Sequence, residues 1–230
     1  MNQSSRQRER DALVAEIEAE VHETRRYTGR AQLKPEVIEA LRRVERHRFV
    51  AQQSGPSAYR DHAMPIGHGQ TISQPYIVAL MTDLLEIDSD SRVLEIGTGC
   101  GYQAAVLAEI AGHVYTLEII PALEIEARER LEALGYRNVT VALGNGRAGW
   151  PEHAPYDAII VTAAAESIPP PLIEQLRPGG RLVIPIGQPG WGQSLELVTK
   201  AEDGQIEHRE VLPVAFVPLT GRDDESAGPV

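Results

Sequence analysis

The sequence predicts an α/β fold: a doubly wound, mostly parallel sheet with helices on both faces. Three observations carry this. From residue 93 onward short β-branched runs alternate with helical stretches, the pattern of parallel strands joined by crossover helices. The hydrophobic run 93–96 passes directly into the alternating glycines Gly97, Gly99 and Gly101. In the last third two extended runs flank Asp203-Gly204, a hairpin signal that puts antiparallel strands at the C-terminal end.

Taken in order, residues 11–24 space Leu13, Ile17 and Val21 four apart, which predicts a short amphipathic helix within an N-terminal helical extension, residues 1–34. The main domain, 35–221, opens with a helix that has Pro35 in its first turn and Val37, Ile38, Leu41 and Val44 on one side, ahead of the charged stretch 45–48. Residues 50–72 hold Gly55, Pro56, Pro65, Gly67 and Gly69 with little periodicity, so they read as a long irregular connection, a kind of segment that is often functional. From Gln74 a helix burying one face with Ile77, Leu80, Met81, Leu84 and Leu85 should end near Glu86. Strands are expected at 93–96, 114–117, 139–142, 158–161 and 182–186, the last after the turn Pro178-Gly179-Gly180, with helices at 102–111 and 122–134. Extended runs follow at 195–199 and 207–212, and the tail 222–230 reads as disordered.

A formal net charge of -11 leaves no excess of Lys and Arg to track phosphates, so nucleic acid is not an expected partner. The single cysteine, Cys100, supplies neither an intramolecular disulfide nor a thiolate cluster, and the seven histidines show no metal-ligand spacing; a reducing, cytoplasmic setting and no metal are expected. No apolar run reaches the roughly 18 residues of a membrane span, and the first twenty residues have no signal-peptide core.

The stretch Val93-Leu94-Glu95-Ile96-Gly97-Thr98-Gly99-Cys100-Gly101-Tyr102 carries the most chemistry. A strand running into glycines lets a ligand approach bare backbone at the carboxyl edge of a sheet, although the same glycines also serve a plain tight turn. A dinucleotide fingerprint would need its third glycine where Tyr102 stands, so NAD is the weaker reading. Glu118 closes the next strand, where a carboxylate accepts bonds from two ribose hydroxyls or simply meets solvent. Asn145, between Gly144 and Gly146, is either an adenine contact or an Asn-Gly turn.

The eleven residues Pro65-Ile66-Gly67-His68-Gly69-Gln70-Thr71-Ile72-Ser73-Gln74-Pro75 fit neither strand nor helix periodicity. They resemble the signature of the protein-L-isoaspartate O-methyltransferase family, close to PIG-x-GQTIS-x-P. VLEIGTG-x-GYQ at Val93, APYDAIIVTAA at Ala154, QL-x-x-GG at Gln175, PIG at Pro185 and FVPLTG at Phe216 match in the same order, and the resemblance covers roughly residues 35–221. It implies a Rossmann-like class I methyltransferase fold and transfer of a methyl group from S-adenosyl-L-methionine, leaving S-adenosyl-L-homocysteine. The acceptor it implies is the free carboxylate of L-isoaspartyl residues in damaged proteins and peptides, with a monomeric enzyme expected.

By the same resemblance Ser73 takes the place of the active-site serine. Gln70, Thr71, Ile72 and Ser73, with Glu95, Gly97, Gly99, Gly101, Glu118, Asn145 and Gly146, inherit cofactor contacts. Ile66, Thr71, Ser73, Thr162, Ala163 and Ala164 are expected on the substrate side. Ser73 has a second reading, as N-cap of the following helix. A carboxylate with a pKa of about 4 is already ionised, so His68 has no proton to remove and reads as a loop-positioning or solvent-facing residue. Two departures stand out: the family usually has Asp where this chain has Asn145, and often Arg where it has Ala215. A related enzyme esterifying an aspartate of a specific peptide or a small-molecule carboxylate stays open, as does a non-catalytic cofactor-binding scaffold.

Overall fold

The computed structural model describes residues 3–188 and 192–221. The tail 222–230, expected to be disordered, lies outside the described residues. The central sheet has seven strands: β3 (Arg92–Ile96), β4 (His113–Glu118), β5 (Val139–Leu143), β6 (Tyr156–Val161), β7 (Leu176–Gln188), β8 (Gly192–Lys200) and β9 (Ile206–Val214). Their order is β5-β4-β3-β6-β7-β8-β9. The five from β5 to β7 pair in parallel, and β8 and β9 add antiparallel neighbours at one edge, as the sequence predicts. The chain winds outward from β3 in one direction and from β6 in the other. Their carboxyl ends therefore flank the switch point where such sheets bind ligands.

Strand periodicity divides the interior into two cores. Val93, Val114, Ala158, Ile160 and Val183 face one, together with α1 (Gln3–Thr28), α2 (Pro35–Arg43), α3 (Pro75–Leu84), α4 (Tyr102–Ala108) and Leu131 of α5 (Pro121–Leu134). Leu94, Ile96, Leu117, Ile159, Val161, Leu182 and Ile184 face the other, with Trp150 and Leu172 of α6 (Pro170–Gln175). Helix α6 has only six residues, and its pair of leading prolines hides it from periodicity.

Four local expectations change. The N-terminal helix covers Gln3–Thr28 rather than 11–24, burying Leu13, Val14, Ile17 and Val21. Helix α3 buries all ten of its residues rather than one face, because α1 lies across the side that the sequence leaves to solvent. The polar residues this traps have partners: Thr82 Oγ1 donates to Val78 O at 2.8 Å and accepts from Gln103, and Asp83 takes the Lys34 amide on Oδ1, while its Oδ2 makes no hydrogen bond among the described residues and has Arg30 only as an ion-pair partner at 3.0 Å. The connection 50–72 is not irregular throughout, since it contains a hairpin of β1 (Met64–Gly67) and β2 (Gln70–Ile72). His68 (φ 52) and Gly69 (φ 72) make its two-residue turn, the left-handed pair that hairpin turns of the primed type require. The predicted turn at Pro178-Gly179-Gly180 falls inside β7, where pairing breaks between Tyr156 and Ala158 of β6.

Candidate active site

The β3 carboxyl end, the β6 carboxyl end and the β1–β2 hairpin meet at one place. Gly97, Gly99 and Gly101 have φ of 94, 55 and 86, all in the region that favours glycine. At Gly97 the need is steric as well: a Cβ would stand 2.5 Å from Thr162 Oγ1. That hydroxyl donates to the carbonyls of Gly97 at 2.7 Å and Ile96 at 3.1 Å, so Thr162 ties the end of β6 to the glycine turn. Gly101 fits closely against Leu131 of α5, and Gly146 against Ile96.

A cleft opens over this turn. It is lined by Gly144 and Gly146 after β5, Glu118 of β4, Ile96, Gly97 and Gly99 at the end of β3, and Thr162 and Ala163 after β6, together with Gln70 and Thr71 of the hairpin. Glu118 is nearly buried at its floor. Its carboxylate accepts the amides of Gly99 at 2.8 Å and of Ile119 and Ile120 at 3.0 Å, which fixes its orientation and leaves acceptor capacity toward the cleft. Asn145 caps the short 3-10 turn Gly146–Ala148, its Oδ1 accepting the Arg147 amide at 3.1 Å.

Glu95 lies lower, 0% exposed within the sheet. Its Oε2 accepts from Thr116, whose oxygen lies 2.7 Å from that of Thr98, while Oε1 has no hydrogen-bond partner among the described residues. Burial pushes the carboxyl up to about 8, so it is mostly protonated at neutral pH. Through Thr116 and Thr98 it supports the turn from beneath.

A second groove runs away from the cleft. Its walls are Ala63, Ser73, Tyr76 and Ile77 on one side and the segment 212–217, Ala215 included, on the other, with Glu20 and Asp61 at its border. Burial, and then a hydrogen bond with Asp61, pushes the Glu20 carboxyl up to about 7. A third, smaller space holds Ile72, Ser73, Gly99, Cys100 and Gln103. Thr71 and Thr162 line all three spaces, so the cleft and the groove meet between these two side chains.

Of the residues expected from sequence, Gly97, Gly99, Glu118, Gly146, Thr162 and Ala163 line the cleft, whereas Glu95, Gly101 and Asn145 lie beside it and line none of the three spaces. Gln70 and Thr71 overhang the cleft, Ile66 reaches to within 3.4 Å of where a Gly99 Cβ would lie, and Ser73 faces the groove side. Ser73 is not the cap of α3: that position belongs to Gln74, one residue later, which makes no side-chain cap bond. Ala164 backs the site through the sheet-like pairing of its amide and carbonyl with Val217 and Leu219. That pairing brings in cleft residues the sequence reading did not assign: Val217, Pro218, Leu219 and Thr220, with Ile119 and Ile120 opposite. The FVPLTG match was the available signal for the first four. His68 sits exposed at the hairpin tip, away from the junction.

Residues 18–224 match the protein-L-isoaspartate(D-aspartate) O-methyltransferase family. The chain belongs to that family. Protein-L-isoaspartate O-methyltransferase 2 of Polaromonas sp. (strain JS666) is 58% identical over 210 residues, covering 91% of this chain and all of that one. Its namesake from Syntrophobacter fumaroxidans is 56% identical over 92% of this chain and 86% of its own length. Among solved structures, a protein-L-isoaspartate O-methyltransferase at 27% identity superposes with a TM-score of 0.79 over 92% of this chain, which spans 66% of that protein. A Plasmodium falciparum protein described as a beta-aspartate methyltransferase, solved with S-adenosyl-L-homocysteine, shares the fold at 24% identity, with a TM-score of 0.72 over 91% of this chain and 97% of that one. The family match extends into α1, so part of the N-terminal helix belongs to what the family shares. No helix among the described residues is long and apolar enough to cross a membrane.

Proposed function

We propose that this chain transfers the methyl group of S-adenosyl-L-methionine to the free carboxylate of L-isoaspartyl residues in damaged proteins and peptides, and so initiates their repair through a succinimide. The observation that carries it is the junction at Thr71 and Thr162, which joins a glycine-floored cleft to an open groove. A reaction between a small donor and a residue of a polypeptide needs that arrangement: a seat for the donor, an open groove for the chain, and a point where the two meet.

The donor fits the cleft. Gly97 and Gly99 leave backbone bare where a Cβ would intrude, Glu118 presents a fixed carboxylate of the kind that takes ribose hydroxyls, and Ile119 and Leu219 give apolar walls. When bound, the sulfonium supplies an electrophilic methyl group. The chain's own residues do the rest. The acceptor carboxylate is ionised at neutral pH, so no general base is required, and alignment and exclusion of water are what remain to be supplied. The β1–β2 hairpin covers the junction, and the hydroxyls of Ser73 and Thr71 orient the carboxylate as donors. Thr162 holds the glycine turn and forms the floor. Charge neutralisation in the transition state favours a dry site, and the apolar Ile72 and Val217 around the junction contribute to one.

Matched peptides that differ only in an isoaspartyl or an aspartyl linkage, given methyl-labelled S-adenosyl-L-methionine, test this assignment. Base-labile label on the isoaspartyl peptide alone is the expected result. Equal labelling of both would point to a methyltransferase that esterifies aspartyl carboxylates generally, and cofactor binding without transfer to either would point to a scaffold. We further propose that the protein works as a monomer in the cytoplasm, in line with its single buried cysteine.

A further inference from the structure

Arg46 begins a 3-10 turn just after α2, inside a run of charged residues, yet its side chain is 0% exposed. One nitrogen, Nη2, donates to Ser73 O at 2.8 Å and to His62 O at 3.3 Å. The guanidinium carbon stands 4.9 Å from the centroid of the Tyr102 ring. Among the described residues Nε and Nη1 have no hydrogen-bond partner. A buried cation with two unsatisfied nitrogens is unfavourable for the fold, so filling space does not account for it.

What the guanidinium touches does. His62 lies just before β1 and Ser73 just after β2, so a single nitrogen grips both ends of the hairpin that carries Ile66, Gln70 and Thr71. Tyr102 is the first residue of α4 and follows Gly101 directly. Arg46 therefore joins the base of the hairpin to the far side of the glycine turn. Asp61 completes the anchorage from the other direction, accepting Gln74 Nε2 at 2.7 Å and the Tyr76 amide at 2.8 Å.

We propose that Arg46 is a positioning residue for the methyl transfer: it clamps both ends of the β1–β2 hairpin to the start of α4 and so sets the height of Thr71 and Ser73 above the glycine turn. The proposal rests on the reaction assigned above. A planar guanidinium can lie on an aromatic face and reach two carbonyls at once, and a lysine ammonium does this poorly.

Arg46→Lys and Arg46→Met are compared with the wild-type enzyme by steady-state kinetics, S-adenosyl-L-homocysteine calorimetry and hydrogen exchange. In Arg46→Met kcat falls at least about tenfold while affinity for S-adenosyl-L-homocysteine stays within about threefold, because the cleft floor is untouched. Arg46→Lys recovers part of kcat. In both variants residues 64–72 exchange at least about tenfold faster, and residues 93–97 do not change. A role confined to stability would lower the melting temperature and leave kcat, measured well below it, unaltered.

Should Arg46→Met fail to fold, Arg46→Lys decides the matter, since exchange needs no activity. Wild-type-like protection of 64–72 in Arg46→Lys, or an unchanged kcat in folded Arg46→Met, overturns the proposal. A wild-type enzyme inactive on isoaspartyl peptides would sink the assigned reaction instead, and the exchange comparison would still show whether Arg46 clamps the hairpin.

Discussion

Gly97→Ala separates two costs that glycine turns usually confound. The first is conformational, since φ of 94 puts an alanine in the left-handed region at about 1–2 kcal/mol. The second is local crowding: the new Cβ would lie 2.5 Å from Thr162 Oγ1, and that hydroxyl must give up its bonds to Ile96 and Gly97. Loss of that one shared hydroxyl bond, at about 1 kcal/mol, and the forced shift of a packed side chain, at about 1 kcal/mol, together add about 2 kcal/mol. Gly135→Ala is the matched control, because Gly135 has φ of 88 and nothing within 4 Å of its Cβ position. Only the first cost applies there.

Thermal unfolding should therefore place Gly97→Ala about 4–8 °C below Gly135→Ala for a domain of this size. Calorimetry should show S-adenosyl-L-homocysteine affinity reduced at least about tenfold in Gly97→Ala and within about twofold of wild type in Gly135→Ala, which is remote from the cleft. Adding Thr162→Ala to Gly97→Ala leaves Thr162 Cβ, at 3.8 Å, as the nearest neighbour and removes the clash. The double variant should then be less destabilised than the sum of its parts by about 1–2 kcal/mol. Melting temperatures for Gly97→Ala and Gly135→Ala within about 1 °C of each other, with strictly additive combination, would refute the close approach at Thr162.

Three further outcomes follow from the same geometry. The Glu95 carboxyl has a folded pKa of about 8, above its ordinary value, so its contribution to stability is fully present at low pH and is lost as pH rises through that value. Glu95→Gln should then gain in melting temperature relative to wild type between about pH 5 and about pH 9, and a pH-independent gap would show that the carboxyl is not buried as described. Asn145→Asp puts a carboxylate between Gly144 and Gly146 of the cleft wall, and a charge-assisted bond worth about 1 kcal/mol more than a neutral one should tighten S-adenosyl-L-homocysteine binding about fivefold; weaker binding would mean that Asn145 serves only its 3-10 turn. Ser73→Ala should lower kcat/KM for an isoaspartyl peptide by about tenfold with unchanged melting temperature, and full activity with the same KM would remove Ser73 from the site.

The sheet and its glycine turn are legible in the sequence because their signals are local. β-Branched runs such as Val93-Leu94-Glu95-Ile96, and glycines at alternate positions, carry their structural reason within a few residues. The hairpin 64–72 is harder to see. Its strands have four and three residues, contain Pro65 and Gly67, and lack the alternation that marks a strand. Only the His68-Gly69 dipeptide marks the turn, and it is a weaker signal than Asn-Gly. Helix α3 reads as amphipathic because the sequence does not show that α1, fifty residues earlier, covers its other face. Arg46 sits in a charged run that suits solvent, and only the tertiary placement of Tyr102, His62 and Ser73 explains its burial. Val217 to Thr220 enter the cleft by pairing with Ala164, a contact between segments more than fifty residues apart. Local chemistry was readable; long-range closure of the site was not.

The most direct check of that closure is thermodynamic. Thr71 and Thr162 belong to both the donor cleft and the acceptor groove, so filling the first should complete a wall of the second. An isoaspartyl peptide titrated calorimetrically into the protein should bind about tenfold more tightly with saturating S-adenosyl-L-homocysteine than without it. Identical affinities in the two titrations would mean that the two spaces do not communicate, and the shared junction would lose its place in the reaction.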